Sequence, residues 1–146
     1  MPRTRAAERP AILVAGRCAP LGHAEIRAAA ARALGRERRR AALSISFVRP
    51  DRIRALNARW KGRRALTDVL AFSLGGPDGG VVGDIYICPG VAAREARARG
   101  LALREELLRL VIHGTLHVLG WDHPEGEGRT VSPMWRRQER LVKELA

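Results

Sequence analysis

Apolar and polar residues follow patterns along the chain that predict four β-strands. Residues Leu43–Val48 alternate between apolar and polar side chains, as a half-buried strand does. Residues Ala11–Gly16 form a short apolar run, which predicts a buried strand. Residues Thr67–Leu74 and Val81–Cys88 are predicted as two further strands. The glycine-rich segment 75–80 between them predicts a turn, so we expect this pair to form an antiparallel hairpin with a longer loop.

Five other segments carry helical patterns or helix-end signals. They are His23 to about Gly35, a segment that starts at Pro50-Asp51 and runs through Trp60, Pro89 to about Arg99, Leu101–Leu119 and Pro133–Ala146. Asp51 is predicted to cap the second of these helices and Ser132 the last. The chain shows no internal repeat and no long linker. Because strands and helices interleave, we predict one α/β (α+β) domain over residues 1–146, with a small mixed sheet packed with helices.

The charge of the chain is strongly positive and lies on one side of the sequence. The 146 residues carry 27 Lys+Arg against 15 Asp+Glu, a formal net charge of +12. Residues 1–64 carry a net charge of +13 and residues 65–146 a net charge of −1. This excess favours a polyanionic partner such as nucleic acid, although an arginine run can also be only a solvated helix end.

The remaining composition predicts a cytoplasmic protein. No run approaches the ~20 apolar residues of a membrane span, and no segment resembles a secretory leader. Two cysteines, Cys18 and Cys88, are too few for a disulfide framework, so we interpret them as reduced thiols. We therefore expect neither a membrane protein nor a secreted one.

Three of the four histidines lie within 11 residues of one another. His113 and His117 are four residues apart, which places them on one face of a helix. Gly120 can end that helix and let the chain return His123 to the same point. Three imidazoles with one open coordination position are typical of catalytic zinc. A structural zinc with Cys88 as fourth ligand, or histidines that are only satisfied core residues, are the alternatives.

The rest of this helix fits a buried face opposite the histidines. Leu108, Ile112, Leu116 and Leu119 fall on the side away from His113 and His117. Glu106 lies on the histidine side, two turns earlier, and we interpret it as a solvated residue rather than one that supports a metal ligand.

One residue argues against the protease chemistry that the histidine spacing suggests. The spacing H-x-x-x-H-x-x-G-x-x-H matches a long zinc-protease motif, in which a glutamate follows the first histidine as general base. Here that position is Gly114, which cannot accept a proton. Peptide hydrolysis by the usual route is therefore disfavoured.

The segment His113–His123, HGTLHVLGWDH, resembles the signature of the YbeY-type endoribonucleases, the bacterial rRNA maturation factors. That signature is H-G-x-L-H-L-x-G-Y-D-H, and Trp121 stands at its tyrosine. Three more segments resemble family motifs in the same order, namely Leu56–Gly62, Thr67–Phe72 and Gly83–Cys88. The resemblance extends from about residue 43 to the C-terminus.

The resemblance implies a four-stranded mixed sheet packed with helices, with the zinc site at the end of a long helix. It implies one Zn²⁺ per chain, held by His113, His117 and His123. The activity would be a zinc-dependent, single-strand-specific endoribonuclease in 16S rRNA 3′-end maturation and 70S ribosome quality control. The implied partners are RNA, in particular rRNA in ribosomal particles, and ribosomal proteins.

Several further residues receive roles in this hypothesis. Lys61 stands at the position of the family's functional arginine. A lysine keeps the positive charge of that arginine but lacks its planar guanidinium fork. Arg63 or Arg64, which we expect to bind RNA, could supply the guanidinium instead. Asp122 could orient a ligand histidine or simply shape the turn. Trp60 and Trp121 could stack on bases or pack in the cleft wall, which the sequence leaves open.

Two other functions remain open from the sequence. One is a zinc peptidase-like hydrolase, against which Gly114 and the basic half argue. The other is a non-catalytic ribosome-assembly factor with a structural zinc and a basic face that docks on rRNA or a ribosomal protein.

Overall fold

Four strands form one mixed sheet in the computed structural model, which describes residues 11–75 and 79–146. They are β1 (Ala11–Ala15), β2 (Ala41–Phe47), β3 (Val69–Ser73) and β4 (Val81–Ile87). Their order is β1-β2-β4-β3; β1 and β2 are parallel, as are β2 and β4, whereas β3 and β4 are antiparallel. The predicted fold class and the β3–β4 hairpin are confirmed. The N-terminal segment 1–10 and the centre of the predicted turn, 76–78, lie outside the described residues.

Five α-helices connect and cover the strands. They are α1 (His23–Leu34), α2 (Pro50–Lys61), α3 (Pro89–Ala98), α4 (Leu103–Val118) and α5 (Pro133–Leu145). Short 3₁₀ helices at Gly35–Arg40 and Arg129–Val131 follow α1 and precede α5. The predicted cap of the last helix is confirmed, because the Ser132 hydroxyl accepts a hydrogen bond from the backbone N–H of Trp135 at 3.2 Å.

The predicted cap of α2 is wrong. Asp51 makes no side-chain capping bond, and the N-cap residue of this helix is Arg49. Pro50 occupies the first helical position, where its fixed φ fits the helix and its missing N–H costs nothing. The helix starts at Pro50, within the predicted Pro50-Asp51 start, and Asp51 lies inside the first turn, where its charge is favourable to the helix dipole.

The prediction that β1 is a buried strand is also only partly right. Ile12 is buried, but Leu13 is 69% exposed. The reason is topological, because β1 lies at one edge of the sheet and helices cover one of its faces only.

The main core lies between the sheet and the helices α1 and α4. Ile45 and Ile85 of the sheet pack there against Ile26 and Val111, and all four are fully buried. A smaller cluster on the opposite face of the sheet joins α2 to β3 and contains Cys88. The helix that carries the histidines is therefore fixed against the centre of the sheet.

Gly114 allows α4 to lie this close to the sheet. A Cβ atom added at Gly114 would lie 2.8 Å from Cγ2 of Ile85, which is closer than side chains pack. Glycine is thus needed here for close packing, and a glutamate at this position would have to displace the core.

Candidate metal centre

The structure brings the three clustered histidines together beside strand β3. His113 and His117 lie one turn apart on α4, and their Nε2 atoms are 3.0 Å apart. His123 approaches from the loop that follows the helix. One ring nitrogen from each of the three residues lies within 4.8 Å of the others, which is a spacing that one cation could bridge.

The chain reverses immediately after α4, and this reversal places His123. Gly120 adopts a φ of +101°, which an L side chain rarely tolerates. The N–H groups of Gly120 and Trp121 then bond to the carbonyl oxygens of His117 and Leu116 at 2.9 and 3.0 Å. These bonds satisfy helix-end carbonyls and direct the following residues back toward the helix.

Each of the three imidazole rings has an oxygen atom against its Nδ1. The Nδ1 of His113 lies 2.6 Å from the side-chain oxygen of Gln138. The Nδ1 of His117 lies 3.0 Å from the carbonyl oxygen of Trp121, and the Nδ1 of His123 lies 2.9 Å from that of Pro124. Amide oxygens only accept hydrogen bonds, so every Nδ1 carries a proton. A neutral ring in this tautomer presents an unprotonated Nε2 atom, which can bind a metal.

Burial keeps the rings of His113 and His117 neutral. It lowers the pKa of His113 to about 4, and the charges of His117 and His123 act in the same direction while the bond to Gln138 opposes them. Burial also lowers the pKa of His117, with a further contribution from His123. Two imidazole lone pairs 3.0 Å apart with no proton between them repel each other, and a cation between them relieves this repulsion.

The ring of His113 is held by a polar network that reaches deep into the protein. The Gln138 amide donates to the Glu139 carboxylate at 3.0 Å, which fixes the orientation of the amide. Arg109 donates to both oxygens of Glu139, at 2.8 and 2.9 Å, and also to Glu106 at 3.0 Å. This network, Glu106–Arg109–Glu139–Gln138, connects α4 to α5 and ends on the candidate ligand.

The electrostatics of the network stabilise its charged forms. The hydrogen bonds that Arg109 donates to Glu139 raise the pKa of Arg109 against the opposing effect of burial. Burial acts to raise the pKa of Glu139, but the hydrogen bonds from Arg109 and Gln138 prevail and lower it.

The interpretation of Glu106 as a solvated residue is wrong. Its side chain is buried and pairs with Arg109 at 3.0 Å and with Arg99 at 3.7 Å. Arg99 comes from the C-terminal end of helix α3, and helix α5 brings a second carboxylate, Glu139, to Arg109. A buried carboxylate is tolerable because these partners pair it.

Gln138 is the residue that sequence reasoning missed. The buried positions of α5 are Met134, Gln138, Leu141 and Val142, which follow one helical stripe. A single polar residue within an apolar stripe is a signal that its side chain has a partner in the interior.

A cleft of about 860 Å³ opens in front of the three histidines. Asp122 and Glu125 line it on the side of the α4–α5 loop, and Lys61 and Arg63 line it on the side of the α2–β3 loop. Arg63 Nη1 and Glu125 Oε1 approach each other to 3.9 Å. The two loops thus form opposite rims of one cleft, with β3 along its floor.

The predicted site residues are only partly brought together. Lys61 lies at the cleft, with its Nζ 5.0 Å from the centre of the Phe72 ring. Arg64 instead lines a separate concavity with Asp51 and Arg54. Asp122 accepts a hydrogen bond from the backbone N–H of His123 at 2.8 Å, so its contact orients the loop rather than an imidazole ring.

Cys88, the alternative fourth ligand, lies elsewhere. It is fully buried in the cluster with Ile53 and Leu70 and is not a member of the histidine group. The fourth side of the three nitrogens faces the cleft. The donor set of three neutral imidazoles with an accessible position fits a catalytic zinc better than a closed structural one.

Replacing Gln138 by leucine is expected to weaken zinc binding about 10- to 100-fold, because the Nδ1 proton of His113 loses its acceptor. Competition with a chromophoric chelator measures the zinc affinity. Met134→Leu, on the same buried stripe, is the matched control and should bind zinc like the parent chain. Unchanged zinc affinity in Gln138→Leu would show that the amide does not position His113.

Three comparisons with known proteins agree with this arrangement. The family model described as endoribonuclease YbeY matches residues 22–146. A relative from Bifidobacterium adolescentis, named endoribonuclease YbeY, is 46% identical over 95 residues, which are 58% of this chain and 52% of the relative. A relative of the same name from Thermotoga sp. (strain RQ2) is 39% identical over 103 residues, which are 70% and 67% of the two chains.

The solution structure of TM1509 from Thermotoga maritima has the same fold. It superposes with a TM-score of 0.63 at 29% identity and covers 92% of this chain and 88% of its own. The chain spans about half the length of the Bifidobacterium relatives that it matches. Since the family model matches 22–146, most of the chain, the protein belongs to the endoribonuclease YbeY family.

Proposed function

We propose that this protein is a zinc-dependent endoribonuclease that cleaves single-stranded RNA at the cleft of His113, His117 and His123. The observation that carries the proposal is the convergence of three imidazole nitrogens on one accessible point. The names of the relatives, all endoribonuclease YbeY, support RNA as the substrate.

Charge on the described surface supports a polyanionic substrate. The 3₁₀ helix Gly35–Arg40 holds no buried residue and carries four arginines. Three of these arginines, together with Arg32 of α1, line a concavity of about 570 Å³. The three are Arg36, Arg38 and Arg39. Planar guanidinium groups suit bidentate contact with phosphates, so this surface can hold an RNA backbone by charge rather than by sequence.

The cleft residues have separate tasks in the proposed reaction. Zinc bound by the histidines would polarise a phosphoryl oxygen and lower the pKa of a water molecule. Lys61 would place its ammonium group against the negative charge that develops on the phosphate. Arg63, on the same rim, would hold the RNA backbone, and Arg64 would bind RNA outside the cleft.

A more specific assignment follows from the resemblance of the histidine motif. We propose that the RNA is ribosomal, that the protein acts in 16S rRNA 3′-end maturation and 70S ribosome quality control, and that it meets ribosomal proteins there. Two buried free cysteines are consistent with a reducing compartment such as the cytoplasm. None of the described helices is long and apolar enough to cross a bilayer.

Two other functions are less well supported. A peptidase of the usual zinc type needs a base at position 114, where the contact of Gly114 with Ile85 leaves no space for a side chain. A non-catalytic assembly factor with a structural zinc needs a closed coordination shell, which the open cleft and the remote Cys88 do not favour.

Removal of the metal tests the proposed function. The zinc-loaded protein should cleave single-stranded RNA, lose this activity when dialysed against a chelator, and regain it when zinc is added back. Cleavage products on a denaturing gel provide the measurement, and a casein substrate run in parallel should remain intact. Proteolysis of casein without RNA cleavage would contradict the proposal, as would RNA cleavage that persists after the metal is removed.

A further inference from the structure

Two exposed tryptophans are sequence neighbours of residues that line the cleft, and we name them the rim tryptophans. Trp60 is 60% exposed and directly precedes the cleft residue Lys61 on α2. Trp121 is 37% exposed and directly precedes Asp122 in the α4–α5 loop. They adjoin the cleft from these two segments of the chain without lining it themselves.

Packing does not explain why Trp60 is so accessible. Its ring meets Phe72 edge to face, with ring centres 6.4 Å apart and planes at 65°, and this contact leaves much of the indole in solvent. Leaving so large an apolar surface in water is unfavourable unless a partner covers it. A flat, exposed ring next to a cleft is instead suited to a flat partner.

An arginine accompanies each rim tryptophan. The Cζ of Arg59 lies 5.2 Å from the Trp60 ring centre, and that of Arg137 lies 5.7 Å from the Trp121 ring centre. These cation–π contacts restrain the rings and place positive charge beside them. An aromatic face with an adjacent cation matches a nucleotide, which offers a flat base and a phosphate.

The third tryptophan provides an internal contrast. Trp135 also has an arginine over its ring, Arg129 at 5.7 Å, but its side chain is half-buried. An arginine contact alone therefore does not leave a tryptophan exposed. The two tryptophans classed as exposed are the ones next to the cleft residues Lys61 and Asp122.

We infer that Trp60 and Trp121 form a stacking site for unpaired nucleobases on the two sides of the phosphate held in the cleft. The inference rests on the proposed function, since it assumes that the polyanion is RNA. In a duplex, neighbouring base pairs cover the base faces, whereas single-stranded RNA exposes them to an aromatic ring. The rim tryptophans would thus make the cleft prefer single strands.

Alanine substitutions at the rims test this inference. Trp60→Ala and Trp121→Ala should each weaken binding of a single-stranded RNA oligomer about 5- to 150-fold, because stacking on an aromatic side chain contributes roughly 1–3 kcal/mol per base. The effect should appear in KM, with kcat and zinc content unchanged. Trp60→Phe and Trp121→Phe should retain most of the affinity, and binding of the same RNA annealed to its complement should not change.

Tryptophan fluorescence gives a direct readout of stacking. In zinc-loaded W135F protein only the rim tryptophans emit, and stopped-flow mixing with the single-stranded oligomer should quench them before cleavage begins. Leu13→Ala is the control, because Leu13 is an exposed apolar residue on the edge strand β1. It should behave like the parent.

The outcomes separate this inference from the proposed function. If the parent chain neither binds nor cleaves RNA, the proposed function itself fails. If the parent chain binds and cleaves RNA but both alanine variants keep its affinity and show no loss of quenching, only the stacking site is overturned. Equal weakening for single-stranded and duplex RNA would also overturn it.

Discussion

Replacing His117 by alanine is expected to abolish zinc binding and to reduce RNA cleavage at least about a thousandfold, while the protein stays folded. The site would keep two of its three nitrogen donors, and the metal contributes several kcal/mol of charge stabilisation in a reaction of this kind. His117 is only partly buried, and its ring contacts His113 and the carbonyl of Trp121 rather than the core. Truncation should therefore leave the packing of α4 against the sheet intact.

Elemental analysis, circular dichroism and an RNA cleavage assay measure these three effects. His23→Ala is the matched control, because His23 begins α1, outside the cluster, and bonds to the carbonyl oxygen of Gly16 at 2.7 Å. This variant should keep one zinc per chain and full cleavage. A folded His117→Ala protein with its zinc and activity retained would exclude the three-histidine site.

The second large effect is expected for Lys61→Ala, which should lower kcat about 10²- to 10³-fold without loss of zinc. The ammonium group lies at the cleft on the rim opposite the α4–α5 loop, where it can face charge that develops on the phosphate. Lys61→Arg should restore most of the rate, because it retains the positive charge and offers a planar fork that can contact two phosphate oxygens.

Lys143 provides the control for Lys61, since it is the other lysine of the chain and is exposed on α5. Lys143→Ala removes the same charge and should leave kcat unchanged. Single-turnover cleavage at saturating enzyme isolates the chemical step. A Lys61→Ala protein that cleaves at the parental rate would show that Lys61 has no part in that step.

Local patterns were enough to predict most of the fold. The alternation in 43–48 and the glycine-rich segment before Val81 are short-range signals, and β2 and the β3–β4 hairpin follow from them. The three histidines and Gly120 likewise lie within 11 residues, so their spacing alone predicts that the three imidazoles converge. Such features need little information from the rest of the chain.

Features that depend on tertiary packing could not be predicted in this way. The exposure of Leu13 depends on which strand lies at the edge of the sheet, and this is decided by pairing with β2. The burial of Glu106 depends on Arg99 and Arg109, which only the packing of α3 against α4 brings to it.

The support of the candidate ligand is the clearest case of this kind. Gln138 reaches His113 across 25 residues of sequence, and its own orientation depends on Glu139 and Arg109. No spacing rule connects these positions, because they meet only when α5 packs against α4. The one signal in the sequence is Gln138 itself, a polar residue within the apolar stripe of α5, which indicates that its side chain has a hydrogen-bond partner in the interior.

X-ray absorption at the zinc edge, combined with elemental analysis of the purified chain, measures the metal and its ligands together. A catalytic three-histidine site predicts one zinc per chain with three histidine nitrogens at about 2.0–2.1 Å and no sulfur ligand. Absence of zinc in protein prepared without chelator and then incubated with zinc would exclude this site, and so would a sulfur ligand at about 2.3 Å, which would point to Cys88 and a closed structural site.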